Sequence, residues 1–432
     1  MSVKGFELRK VISSPLIYAL LLLFLAFNVL PILERAHIRD ELAIINQLVQ
    51  RFGHEMTEDM QADFQAYYKE QLDKMNEITR AKSEKTYVDA ASFFEEHPEW
   101  LDENTRTAYL EKSSEYGKEE LDSFFRLLVV EIIYKMMQEA DEVYRGIDLS
   151  RKAEEEIAKY GLGGKAADTV RAAYAKLQKR LEQLVANGEH KHLFFPGKIF
   201  EMHSLLFEDL FRRMIFEMTV LSVLITGYLC NYEFERQTHL VAYSTKRGRK
   251  LALDKLLASL TATAIVTTVI VVGTLAVYFA TFPYSGLMKV PISSYFNMED
   301  ELPYISWWNM TFDAYLMCAV VLMYACGLLF SSLTFVLSAW IRNSYLAFFS
   351  FIALFGIFVG LPGWISTDSN MIFLAHYTPF VLILNPFLWF TGGLNPFTAF
   401  KGYETVTVLV WSALLTSLSQ ACMYRFRKQD IH

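Results

Sequence analysis

The sequence has 432 residues, 53% of them hydrophobic and 15% aromatic, and a formal net charge of -7 at pH 7. The acidic balance, with no basic stripe interleaved with aromatics, argues against a nucleic-acid binder. Repeated apolar runs of about 20 residues, the length that crosses a bilayer as helix, exclude an ordinary soluble domain and mark an integral membrane protein.

In chain order, residues 1–14 alternate Phe6, Val11 and Ile12 with Lys4, Glu7, Arg9 and Lys10, the pattern of a short amphipathic helix on a membrane surface. Residues 15–33 form a first span. Its basic leading flank and the lack of a small-x-small cleavage site read as an uncleaved signal anchor with the N-terminus inside. Residues 34–213 hold much of the charge. Within them Ile38, Leu42, Ile45, Val49 and Phe52 recur at helical spacing. So do Leu121, Phe124, Leu128, Ile132 and Met136, and then Val170, Tyr174, Leu177, Leu181 and Leu184. This is a helical extracytoplasmic insertion, and its acidic surface reads as solvation.

Further spans follow at 214–230, 256–282, 312–340, 344–361 and 404–424, with an aromatic outer loop at 283–311. Within residues 362–403, the stretch 371–391 is apolar enough to cross, yet it contains Pro379, Pro386, His376 and Asn385. Counting it as a span would put Arg425, Arg427 and Lys428 outside. Residues 362–403 read instead as a re-entrant or interfacial helical pair on the outer face. The fold class is therefore all-α: a polytopic membrane protein of about six spans, with both ends cytoplasmic and a short tail at 425–432.

No HExxH, GxSxG or Walker phosphate loop is present. The run Gly161 to Lys165 has Ala166 where a phosphate loop needs Ser or Thr, so it reads as a helix-breaking turn. The four cysteines, Cys230, Cys318, Cys326 and Cys422, lie in or beside apolar runs and suggest neither disulfide staples nor a zinc site. Two ionisable groups at membrane depth are pathway candidates. Glu217 sits about one turn inside the second span, and reads either as a functional group or as one that snorkels or pairs with an arginine. His376 reads either as a proton relay or as a satisfied interface histidine.

The most informative stretch is 231–255, a charged island between two apolar runs. It opens with Glu233 and Glu235 and closes with Lys246, Arg247, Arg249, Lys250 and Lys255. Leu240, Val241 and Tyr243 give a short helix an apolar edge suited to a groove on another protein. A purely topogenic turn would need the positive charge but neither the acids nor that edge. The pattern resembles the first cytoplasmic loop of ABC-2 type transporter permeases. In that family an acidic residue precedes Gly-Thr, a short coupling helix, a small-residue turn, and then Arg and Lys leading into the next span. Here the matching residues are Glu235, Arg236, Gln237, Thr238, Leu240 to Tyr243, Ser244, Thr245, Arg249 and Lys255; Gln237 stands where Gly is usual and Lys246 where Pro is common. The FELRK segment is similar to the family's interfacial elbow helix.

The resemblance implies a permease subunit of an ABC exporter, without an ATPase site or cofactor of its own. ATP and Mg would sit on a partner ABC ATPase subunit. Further partners would be a second copy or a homologue, and membrane lipid. The residues expected to couple are Glu233, Glu235, Arg236, Thr238, Leu240, Val241, Tyr243 and Arg249. An amphipathic peptide or lipid-like substrate would move outward or be extracted from a bacterial plasma membrane. The alternative reading is a sensor or scaffold whose outer domain detects a ligand and signals through a cytoplasmic partner, since the inner segments are too short to hold an output domain.

Overall fold

Long apolar runs must satisfy their backbone internally, and this chain does so as helices. The structure, a computed structural model, describes residues 3–100, 115–194, 204–244, 250–299 and 302–428. Among them six helices are long and apolar enough to cross a membrane: Pro15–Glu34, Leu205–Glu235, Leu251–Thr281, Phe312–Trp340, Ser344–Trp364 and Tyr403–Phe426. The chain is thus an all-α polytopic protein. Its described strands are four two-residue pieces in two antiparallel pairs.

The second span is the spine. In its most apolar window 78% of residues are buried, against 11% in the fifth. It enters through a π turn, Leu205–Leu210, and continues as Phe211–Glu235. The third and fourth spans pack along it, the first lies against the third, and the sixth lies against the fourth. Small residues permit the closest approaches. A Cβ on Gly327 would lie 2.8 Å from Met218 Sδ and 3.4 Å from Thr263 Cγ2, so three spans meet where the fourth carries no side chain. Hydroxyls inside the bundle bond back to their own helix, as Thr219 does to the Ile215 carbonyl at 2.7 Å and Thr334 to the Phe330 carbonyl at 2.8 Å. The fifth span starts at Asn343, whose side chain accepts the Leu346 N–H at 3.0 Å as a helix cap.

Six alternating spans place the N-terminal helix Val3–Ile12, the connection between the second and third spans, and the end of the sixth helix at one end of the bundle. The insertion and the 283–311 and 362–402 connections share the other end. The insertion is built from Arg39–Phe52, Glu58–Ser83, Ala90–Glu96, Lys118–Gly146, Leu149–Lys159 and Gly164–Ala186. Part of it has a separate aromatic core in which Phe93 and Phe124 lie 4.9 Å apart. The remainder shares one core with the spans.

The insertion docks on backbone. Tyr144 donates to the Ser293 carbonyl at 2.7 Å and Tyr174 to the Gly393 carbonyl at 3.0 Å. Buried Arg180 holds Glu189 with both terminal nitrogens, at 2.9 and 2.5 Å, and gives its Nε to the Ser306 carbonyl at 2.9 Å. The Ile305–Ser306 strand pairs with Thr391–Gly392, joining the two connections. Gly392 is required there by space, because a Cβ would stand 2.7 Å from Leu177 Cδ1. The Gly161 to Lys165 turn belongs to the same seam: the Gly163 N–H donates to the Thr367 carbonyl at 3.2 Å.

Residues 362–402 are more broken than a helical pair. Pro379 and Pro386 each start a new turn, Pro379–Leu382 and Pro386–Leu388, because proline fits a first helical position and cannot continue a preceding helix. Met371–His376 and the Thr391–Gly392 strand complete the segment.

Candidate functional site

The second span does not stop at its apolar end. It runs to Glu235, where Gln237 turns left-handed at φ +56° and the short helix His239–Ser244 leaves at a new angle. The position where glycine is usual in ABC-2 permeases is thus one that glycine adopts most easily. The turn closes with the Thr238 N–H on the Glu233 carbonyl at 2.9 Å.

Glu233 is 5% exposed and bridges two cations. Its Oε1 accepts Lys10 Nζ at 2.8 Å, and its Oε2 accepts Lys255 Nζ. Lys255 also donates to the Cys230 carbonyl at 2.9 Å. Lys10 is shared with Glu7 at 2.8 and 2.9 Å and lies 4.3 Å from the Tyr232 ring centroid. Burial alone would lower the Lys10 pKa; hydrogen bonds and charge from Glu233 and Glu7 outweigh it and hold the ammonium above its ordinary value. One carboxylate therefore ties together the N-terminal helix, the second span and the third.

Glu235 reaches a different element. Its Oε1 accepts the Ser344 N–H at 2.8 Å, at the start of the fifth span. Tyr243 faces inward: it is 8% exposed, packed edge-on against Phe426 at 4.9 Å and beside Phe234 at 5.7 Å. The apolar edge of the short helix is therefore divided. Leu240 and Val241, 50% and 73% exposed, face out, while Tyr243 anchors the helix to the sixth. Arg236 and Thr238 are exposed beside them. Arg249 and Lys246 lie outside the described residues. Lys10, Ser344 and Phe426 are members of this cluster that sequence reasoning did not select. Their signal was only local charge or apolarity, whereas the Lys10–Glu233 contact joins residues 223 positions apart.

Glu217 and His376 are not brought together. Glu217 Oε2 accepts Asn28 Nδ2 at 2.8 Å, and the same nitrogen reaches Thr274 Oγ1 at 3.1 Å, so this group crosslinks the first three spans. Glu217 Oε1 and Asn28 Oδ1 are buried without a partner among the described residues. Arg213, one turn away, is held by Asp209 at 2.6 and 3.1 Å and lies over the Phe27 ring at 4.6 Å. His376 stacks on Phe397 at 4.4 Å, its Nδ1 is 2.7 Å from the Ile372 carbonyl, and it lines a cavity near the other end of the bundle. Among the described residues no group of three or more His, Cys, Asp or Glu is arranged to hold a metal ion.

The fold is that of a six-span helical membrane protein with a polar cluster at the connection between its second and third spans. The family of ABC-2 family transporter proteins matches residues 1–431, and the chain belongs to it. It is a multi-pass permease component of an ABC transporter. Comparison with curated proteins returned no match, and comparison with solved structures returned none.

Proposed function

We propose that this chain is the membrane subunit of an ABC exporter whose separate ATPase subunits grip the helix at 239–244 and the basic residues after it. On this reading ATP and Mg are held by the partner, and two copies, or one copy and a homologue, form the pathway. The end of the bundle with both termini faces the cytoplasm of a bacterial cell, and an amphipathic peptide or lipid-like substrate moves outward or is drawn from the membrane.

The observation that carries this reading is the division of labour at the connection. Glu233 and Glu235 tie the end of the second span to the N-terminal helix and to the third and fifth spans, Tyr243 ties the short helix that follows to the sixth, and Leu240 and Val241 stand exposed. A partner that packs on the exposed edge would move an element linked to most of the bundle. A few buried apolar contacts ringed by charges supply the affinity such a grip needs.

Pull-down of a co-expressed ATPase subunit encoded beside this chain tests the reading. Asp in place of both Leu240 and Val241 is expected to weaken capture at least about tenfold, each lost apolar anchor being worth ~1 kcal/mol or more. Equal capture by wild type and the double variant refutes the grip.

A further inference from the structure

The cavity beside His376 holds a second ionisable group, Glu404, which meets no cation among the described residues. The space is about 200 Å³, and its lining includes Glu404, His376, Asn385, Asn395, Thr398 and Trp389. Glu404 is 3% exposed. One oxygen, Oε1, accepts the Phe390 N–H at 2.6 Å, and Glu404 has no ion pair among the described residues. Phe390 itself is held left-handed at φ +61°, unfavourable for a residue with a side chain. Local strain is thus maintained where a backbone donor meets a buried carboxylate.

A buried carboxylate without a cation is costly, and an ionisable group kept at that depth marks a candidate functional site. The neighbours are suited to a donor-rich cation. Asn385, Asn395 and Thr398 bring amide and hydroxyl oxygens, although Asn395 Oδ1 also takes the Phe397 N–H at 2.9 Å. His376 carries its proton on Nδ1 toward the Ile372 carbonyl, leaving Nε2 as an acceptor. Trp389, also in the lining, gives its indole N–H to the Leu382 carbonyl at 2.9 Å, which leaves its ring as an apolar aromatic surface. One carboxylate among neutral acceptors and an aromatic ring fits a primary ammonium, with three N–H donors and one positive charge, better than a metal ion that needs several anionic or imidazole ligands.

We infer that this cavity is a binding site for a protonated primary amine, with Glu404 as counter-ion and His376 Nε2 among the acceptors. The site is remote from the 231–255 connection and does not depend on the ATPase reading.

Isothermal titration of the full-length chain in detergent, with ethylammonium chloride and with ethanol as its neutral counterpart, tests the assignment. Saturable binding is expected for ethylammonium alone, weakened about tenfold or more in Glu404→Gln, as loss of a charge-assisted contact implies. Difference infrared spectra should show a carboxylate change on adding ethylammonium to the wild type and none in that variant. Absence of saturable binding, equal binding of ethanol, or unchanged affinity in Glu404→Gln overturns the assignment. Should that variant fail to fold, Asn385→Ala at the exposed rim decides in its place: a loss of about threefold supports the site and unchanged affinity overturns it.

Discussion

Replacing Glu233 by Gln separates the polar cluster into its parts. Among the described residues Lys10 keeps Glu7, at 2.8 and 2.9 Å, whereas Lys255 keeps only the Cys230 carbonyl. The variant therefore strands one ammonium whose side chain is 4% exposed. Breaking a buried pair on one side costs about 3–5 kcal/mol. With an unfolding entropy of ~2.1 cal/mol/K per residue over 432 residues, that is a fall of roughly 3–5 °C in Tm. Adding Lys255→Met removes the stranded charge, so the double variant should recover part of the loss, with a coupling of about 1–3 kcal/mol. Thermal unfolding of the four proteins in one detergent measures the cycle. A Glu233→Gln protein as stable as the wild type, or losses that simply add, would refute the account of Glu233 as the shared carboxylate.

Two further outcomes are expected. Gln237→Gly should be neutral or stabilising, by up to ~1 kcal/mol, while Gln237→Val should lose about 1–2 kcal/mol because a β-branched residue resists a positive φ; equal Tm values for the two variants would contradict the turn geometry. In the insertion, burial, reinforced by the charges of His54 and His190, pushes the His192 imidazole down to about 4. The unfolded chain then takes up this proton first, near pH 6.5, so the stability it contributes is full above that value and drains away as pH falls towards 4. His192→Asn should flatten the dependence of Tm on pH in that window, and an unchanged slope would exclude His192 as its source.

The spans and helical insertion were legible because both rest on local pattern: unbroken apolar runs of sufficient length, and apolar residues at three- and four-residue steps. The connection at 231–255 could be singled out by charge contrast alone. Its internal arrangement could not. Tyr243 shares an apolar edge with Leu240 and Val241, and nothing in that edge distinguishes the residue that turns toward Phe426 from the two that turn out. Glu233 and Glu235 are alike in sequence, yet one is enclosed by two lysines and the other receives a backbone N–H from the fifth span. Glu404 reads as a boundary residue at the start of a span, and only the turns seeded by Pro379 and Pro386 enclose it beside His376. Gln237 is the instructive middle case: its departure from the family's usual glycine is visible in sequence, but the reason, a left-handed turn, is visible only in three dimensions.

The Asn28–Glu217 and Lys10–Glu233 contacts have a joint mechanical meaning. Both partners on the N-terminal side belong to one short stretch of chain, and both carboxylates belong to one helix. Sixteen positions separate those carboxylates, about 24 Å of helix and some 160° of turn. The leading segment thus grasps the second helix near both ends and from nearly opposite sides, like a strap crossing a rod. Sliding would strain both fastenings and twisting would strain them in opposite senses, so the N-terminal helix, the first span and the second should travel as one body, and slack between them should appear only when one fastening is cut.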